Sequence, residues 1–450
     1  MQGIARNLHV GKRQGENTII TTGRPLKNTL KFIQRLKASL YVRNVATLAG
    51  GTTFAQAISV FTAPILYRIY SKVDYGTLGL YMAIVGVVGV FSTFQYFQPI
   101  LLEKNDDDAK KVMWLNRLIN LVTTLAVLLL VLLFGDNLSR LLGNEKLMPW
   151  LYLAPISIFF SGQGQIFGIW ANRKKKYKIL SFNTILTAVL VPLVSITIGL
   201  YNNGPLGLFL GLLISHVVPP IVLLIRLTKY DDLGLKYFDW EVIKGKAKEH
   251  KNFPSYTLPS AFINRLTNQL PVFMLSAYAG PAVVGVYNLC VRMLGLPINL
   301  IGNAITRVFQ QKAVEEYNER GDFKNVFVKT FKTLSLIAIP GLILILILGP
   351  KLFSFVFGPE WRESGVFAQI LIIMFALKLI ISPLSYAFYI KKKLKEDMFL
   401  HLYILVSMVI IFLIGFNTTD NHKNVILLYA INYCLIYSVY LTRAYNLSKK

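Results

Sequence analysis

Acidic residues are scarce in this chain: 22 Asp and Glu stand against 48 Lys and Arg in 450 residues. Cysteine is scarcer still, and both copies, Cys290 and Cys434, fall inside apolar runs. Two separate thiols build neither a disulfide framework nor a metal site, so they read as small buried apolar residues. There is no Gly-rich phosphate loop and no His/Cys cluster, which removes nucleotide hydrolysis and structural zinc from the reading. No cofactor and no metal is expected. Charge of either sign is thin, at 16% of residues, while 54% are hydrophobic and the mean hydropathy is +0.51. A soluble domain of this length would be far more polar.

What is present is a series of long apolar runs. Leu118–Phe134 is interrupted only by Asn120, Thr123 and Thr124. A bilayer core needs roughly 20 apolar residues in helical form. Reading apolar runs against breakers gives twelve spans: Val45–Ile69, Gly76–Leu102, Val112–Phe134, Met148–Asn172, Ile179–Leu200, Leu206–Leu227, Phe253–Ala277, Ala282–Phe309, Phe327–Leu348, Ser364–Ile390, Met398–Phe416 and Val425–Tyr445. The fold class is therefore all-α, a polytopic membrane protein of twelve transmembrane helices. Met1–Lys27 reads as disordered, with no apolar stretch behind its early charges to make a cleaved signal. Lys31–Tyr41 reads as a short helix on the membrane surface.

The basic residues sort by connector. One side of the membrane receives 36 Lys and Arg, the other 7, and 5 lie within spans. Cytoplasmic connectors carry the excess, so both termini are placed in the cytoplasm and the net charge of +26 reflects topology. Nucleic acid is not an expected partner; anionic membrane lipids are.

The two halves echo each other. Pro64 and Gly79-Leu80-Tyr81 have counterparts in Pro271 and Gly285-Val286-Tyr287, and Arg173–Lys176 has one in Lys391–Lys393. Six spans per half give both halves one orientation, a parallel repeat of two six-helix bundles around a central polar cavity. The divisions are a tail over residues 1–43, lobes over 44–228 and 253–445, an amphipathic connector over 229–252, and a tail over 446–450. The connector sets Lys244, Lys246, Lys248 and Lys251 beside Trp240 and Ile243, as a helix lying on the membrane face would.

A charge inside a span usually faces a cavity and has a role. Asn264 and Asn268, and Arg265 and Gln269, are each four apart and form one polar stripe. Asn288, Arg292, Gly295, Asn299 and Asn303 form a second, on the eighth span. Lys378 aligns with Ser382 and Ser385, and Arg117 with Asn120 and Thr124; for Arg117, close to a span end, snorkelling to the interface competes with a role in the cavity. All four charges are cations, and no acid lies deep in any span. The cations therefore want an anion from outside, and phosphate or pyrophosphate fits a guanidinium fork. Arg292 and Arg265 are expected to bind it from one lobe, with Arg117 facing them from the other and Lys378, Asn264, Asn268, Asn288 and Asn299 beside them. His216 and His401 are the intramembrane groups that titrate near neutrality, and each reads more readily as packed than as functional. Asp106-Asp107-Asp108 reads as an acidic helix start rather than a metal triplet.

Ala63–Tyr81, with Arg68-Ile69-Tyr70-Ser71-Lys72-Val73-Asp74-Tyr75-Gly76 at its centre, resembles the end of the first helix in the polysaccharide-transporter, or O-antigen flippase, branch of the multidrug/oligosaccharidyl-lipid/polysaccharide (MOP) flippase superfamily. Phe253-Pro254-Ser255-Tyr256, Leu258-Pro259-Ser260, Asn264-Arg265 and Gly285-Val286-Tyr287 are similar to its seventh and eighth helices. The resemblance implies an alternating-access flippase of undecaprenyl-diphosphate-linked O-antigen or capsule repeat units in the bacterial inner membrane, acting alongside polysaccharide-assembly proteins. A multidrug exporter of the same superfamily, and a membrane O-antigen polymerase or ligase, are the alternatives. The cationic cavity argues against the first, and short outward connectors against the second. An anionic headgroup moving outward across a negative-inside potential gains roughly 2.3 kcal/mol per charge per 100 mV, so the potential is expected to supply much of the drive.

Overall fold

A computed structural model describes residues 24–202, 204–234, 237–419 and 421–449, with side chains from Thr47 onward apart from Leu394. Of the disorder expected over Met1–Lys27, residues 1–23 lie outside the described residues, while residues 24–27 are helical, the first turn of α1. Residues 235 and 236 of the connector also lie outside the described residues. Fourteen helices of eight residues or more follow one another: α1 Arg24–Ile69, α2 Lys72–Val88, α3 Asp106–Leu141, α4 Ala154–Arg173, α5 Tyr177–Gly199, α6 Leu206–Thr228, α7 Trp240–Glu249, α8 Leu258–Ala279, α9 Pro281–Pro297, α10 Asn303–Arg320, α11 Lys324–Phe357, α12 Arg362–Leu384, α13 Leu394–Thr418 and α14 His422–Ser448.

The helix starts follow local chemistry. Ser71 caps α2 by accepting from Asp74 N while the Asp74 carboxylate accepts from Ser71 N, a reciprocal box. Asn105 caps α3 by accepting from Asp108 N through its side-chain oxygen, and Asp106–Asp108 fill the first turn, so the acidic triplet is a helix start. The surface helix expected at Lys31–Tyr41 is instead continuous with the first span in the 46-residue α1.

Other expected spans are broken. α2 ends at Val88, and from Gly89 the chain turns through 3₁₀ segments with Phe94 and Gln95 both left-handed (φ 46° and 63°), where one span to Leu102 is expected. In the eighth span, Pro297 lacks the amide hydrogen its turn needs, and a π-turn over Ile298–Gly302 joins α9 to α10. On either side of this turn Arg292, Asn299 and Asn303 remain exposed, whereas Asn288, before it, packs over Gly79.

Nine helical segments among the described residues are long and apolar enough to cross a membrane. α1, α4 and α8 are not among them. Ser157, Ser161, Gln163 and Gln165 dilute α4, and Asn264 to Gln269 dilute α8. Leu129, Leu130, Leu132, Leu133 and Phe134 of α3, and Leu336 and Ile347 of α11, point outward into a solvent that must be apolar. The chain is a multi-pass membrane protein.

Each half repeats one packing scheme. Third packs on fourth, fourth on sixth, and fifth on sixth and first: α3–α4, α4–α6, α5–α6 and α1–α5 in one half, α11–α12, α12–α14, α13–α14 and α8–α13 in the other. The basic runs after the fourth and tenth spans make one and the same turn. Lys175 and Lys392 are left-handed (φ 54° and 55°), and Lys176 N donates to Ala171 O as Lys393 N donates to Phe388 O. This is a Schellman closure with lysine where glycine is usual.

Candidate functional site

The halves meet chiefly through α2 with α8 and α9, and α1 with α11. The seam is tight at one end of the molecule. A Cβ on Gly76 would lie 1.7 Å from the Pro281 carbonyl oxygen, and one on Gly285 would lie 2.1 Å from that of Lys72. Only glycine allows backbones so close. Around this contact Tyr67 stacks on Tyr75 with ring centroids 4.0 Å apart, and Trp361 and Phe357 of the second half stand edge-on to Tyr67. Trp361 Nε1 donates to Tyr67 O at 2.6 Å, Arg68 Nη2 to Phe355 O at 2.9 Å, and Ser276 Oγ to Leu142 O at 2.6 Å. Glu363 lies 3.7 Å from Lys72 across the seam and 3.3 Å from His422 on its own side.

No comparable seam forms among the described residues at the other, basic end. There α3 packs on the connector helix α7, while the ends of α10, α12 and α14 pack on their own half. Ile243 of α7 is buried beside Tyr96 and Leu115, and Lys246 Nζ bonds both carboxylate oxygens of Glu103 at 2.9 and 3.0 Å. His250 Nε2 adds 2.8 Å. Burial would push the Glu103 carboxyl up, but Lys246 and His250 hold it below the usual range. Glu103, Glu249 and His250 are close enough to share a metal ion, yet Lys246 already bonds both carboxylates and fills that position.

Between the closed seam and the basic end lies a cavity of about 480 Å³. α2 supplies Tyr81, Val85 and Gly86, α4 Ser161 and Gln165, α6 His216, and the strained turn after α2 supplies Gln95. One residue of the second half reaches in: Arg265, whose guanidinium would meet a Gly86 Cβ at 2.6 Å. His216 Nδ1 is buried and without a partner. Neutral hydrogen-bonding groups and one cation, with no acid among the lining residues, suit an anionic polyhydroxyl compound.

The expected residues part company here. Arg292 is exposed on α9 and lies against the Tyr67 side chain, so it sits beside the closed seam. Asn288 packs over Gly79, with Nδ2 buried and unpaired, in the α2–α9 contact. Asn268 Nδ2 donates to Asn264 O at 2.8 Å, and both amides are exposed along the Arg265 stripe. Asn299 is exposed on the π-turn, where its carbonyl accepts from Asn303. Lys378 is half-buried with Nζ 6.0 Å from the Phe375 ring, outside these cavities. Arg117 does not face Arg265 or Arg292: it lines a separate cavity of the first half and donates to Leu233 O. His401 is exposed, bonded to Asp397 O. Cys290 is buried and Cys434 half-buried, both free thiols. Gln95, Ser161 and Gln165 were not anticipated as site residues. Ser161 and Gln165, four apart and so on one helix face, were the legible signal on α4.

Residues 65–366 match the family model described as polysaccharide biosynthesis protein. The lipopolysaccharide biosynthesis protein WzxC of Escherichia coli (strain K12) is 23% identical over 71% of this chain and 64% of its own length, so the chain spans less than two thirds of that relative. In structure, the chain is similar to the lipid II flippase MurJ in an inward closed conformation (TM-score 0.71, 16% identity, 89% of each chain). It is also similar to a multidrug resistance MATE family transporter of the MOP superfamily in an inward-facing conformation (TM-score 0.69, 15% identity, 87% of this chain and 97% of that one). At such identities these likenesses show the fold.

Proposed function

The chain belongs to the polysaccharide biosynthesis protein family, and on that premise we propose that it is an alternating-access flippase for an undecaprenyl-diphosphate-linked oligosaccharide, an O-antigen or capsule repeat unit, in the bacterial inner membrane. On this proposal the protein crosses the membrane twelve times, through the nine apolar segments together with α1, α4 and α8, in lobes over residues 44–228 and 253–445 linked by the connector over 229–252. The basic end is cytoplasmic by the positive-inside rule, with both termini there. The tight seam then faces outward and the cavity opens to the side where lipid-linked precursors are made.

The observation that carries the reading is Arg265. It is a cation from one lobe inside a polar, acid-free cavity of the other, so an anion bound there touches both lobes and can sense their separation. Arg292, beside the seam, is the second contact for the pyrophosphate as the cargo moves outward. The amides of Asn264 and Asn268 extend the path toward the basic end. The expected effect of Arg265→Ala is loss of surface polysaccharide with normal amounts of protein in the membrane. Arg265→Lys should recover part of it, because the charge returns without the fork. Normal export by the alanine variant would reject the reading. For orientation, cysteines at Asn202 and Thr419 should react with an impermeant thiol reagent in intact cells, and cysteines at Lys175 and Lys392 should not.

The MATE likeness favours a second reading, a multidrug exporter. Cationic drugs favour carboxylates, and the cavity lining holds none. Resistance to a cationic dye that rises with expression and survives Arg265→Ala would favour the exporter.

A further inference from the structure

The larger cavity around Arg117, about 960 Å³, lies among α3, α4, α6 and the loop over residues 229–234. Its walls are mostly apolar, among them Leu118, Leu121, Phe160 and Leu224. Arg117 stands between two aromatic rings, 4.7 Å from the centroid of Trp114 and 5.1 Å from that of Phe167. Its hydrogen bond is a long one, from Nη1 to Leu233 O at 3.3 Å, and Nε is buried with no partner. The acids that line the same cavity are already engaged. Asp231 pairs with Lys174 at 3.1 Å, and Asp232 Oδ1 accepts from Gly234 N at 2.8 Å. Arg117 is 11 residues into α3, about 16 Å along the axis from the Asp106 cluster, beyond its reach.

A guanidinium in apolar surroundings with an unpaired buried donor is costly unless an acceptor arrives. The shape of the acceptor follows from the walls: one anionic group, and apolar chains to lie along the leucines and phenylalanines. We infer that this cavity is a binding site for an anionic phospholipid, with the headgroup phosphate taken by Arg117 and acyl chain along Leu118, Leu121 and Leu224. The site is separate from the Arg265 cavity, with no lining residue in common. It also touches the interlobe connector, since Trp114 Nε1 donates to Gly234 O at 3.1 Å beside the Arg117–Leu233 contact. A lipid there steadies the loop through which the two lobes are joined.

The test uses the purified full chain in a neutral detergent. Thermal unfolding is followed while dioleoylphosphatidylglycerol, dioleoylphosphatidylcholine or inorganic phosphate is added, and native mass spectrometry counts retained lipid. Phosphatidylglycerol should raise the midpoint at least twice as far as phosphatidylcholine, and inorganic phosphate should leave it in place. Arg117→Gln should remove most of the difference between the lipids, and so should Leu224→Trp, which fills the cavity and keeps the cation. Lys378→Gln, a change to another intramembrane cation outside the cavity, should keep the difference. Equal response to both lipids, or an undiminished preference in Arg117→Gln and Leu224→Trp, would overturn the assignment. A full response to inorganic phosphate would overturn it too, because the site would then need no lipid chain.

Discussion

Arg265 and Arg117 both lie well inside long helices, and both lie on stripes visible in the sequence, yet their surroundings differ in kind. Arg265 crosses from its own half into a cavity lined by hydroxyl, amide and imidazole groups of the other half. Arg117 stays within its half, between aromatic rings and under a connector carbonyl. A charge that bridges two bodies is coupled to their movement; a charge held inside one body is coupled to that body's stability. The cost of an intramembrane cation is a common feature, so the cost alone assigns neither role.

The sharpest way to break this comparison is at the glycines. A Cβ on Gly76 meets backbone, the Pro281 carbonyl, which cannot step aside without parting the lobes. A Cβ on Gly86 meets the far end of the Arg265 side chain, which can. Gly76→Ala should therefore weaken the closed seam by about 2–3 kcal/mol, as overpacking does. Cross-linking between cysteines at Leu142 and Ser276, which touch across that seam, should fall steeply. Gly86→Ala should leave that cross-link intact while lowering export, because only the arginine is displaced. Equal loss of cross-linking in the two variants would remove the distinction between seam and cargo contact.

Trp361→Phe probes the seam more gently. The ring packing on Tyr67 persists, but the carbonyl of Tyr67 loses its 2.6 Å donor while buried. That costs about 1–3 kcal/mol in the closed state and nothing in an open one. A cysteine at Tyr75, 6% exposed, should then react with a thiol reagent faster by roughly tenfold per 1.4 kcal/mol. Unchanged reactivity would mean that the aromatic packing alone keeps the seam shut.

These contrasts also mark what was legible beforehand. Long apolar runs and breakers carry most of the helix order, because hydrocarbon burial depends on composition over twenty residues and not on neighbours. The repeat was legible in short matches because the same closure, with left-handed Lys175 and Lys392, is needed in each half. Breaks within spans were less so. Gly89 and Pro297 were visible, but whether they kink, bulge or end a helix is decided by packing. The site suffered most. Periodicity places Arg265, Asn264 and Asn268 on one face correctly, since α8 is unbroken there. It carries no information about which helix of the other half lies opposite, so Arg117 was assigned to face a cavity it does not reach. Along the second stripe Arg292, Asn299 and Asn303 are exposed while Asn288 packs over Gly79, a partner that periodicity does not reveal.

The smallest effect is expected at the connector, which neither arginine touches through a strong bond. Lys246 holds Glu103 at 2.9 Å and Glu249 at 3.0 Å. Glu103→Gln thus leaves the ammonium one carboxylate, and the loss should be about 1–2 kcal/mol, below that of stranding a buried charge. The pH dependence follows from the two shifts. The Glu103 carboxyl is lowered on folding, by Lys246 and His250 against the upward push of burial. Its contribution is complete above the ordinary glutamate value and is lost as pH falls through the lower folded value. Burial would lower Lys246, but Glu103 and Glu249 raise it above the ordinary lysine value, so its contribution is complete below that value and is lost only as pH rises through the higher folded one. The docking of α7 should therefore be flat between about pH 5 and pH 10 and loosen below about pH 4. A fluorophore on a cysteine at Lys244, an exposed position of α7, reports it as anisotropy. Glu103→Gln should start from a lower plateau and lose less on acidification. A step near neutral pH would show that a histidine, not the Glu103–Lys246 pair, governs the connector.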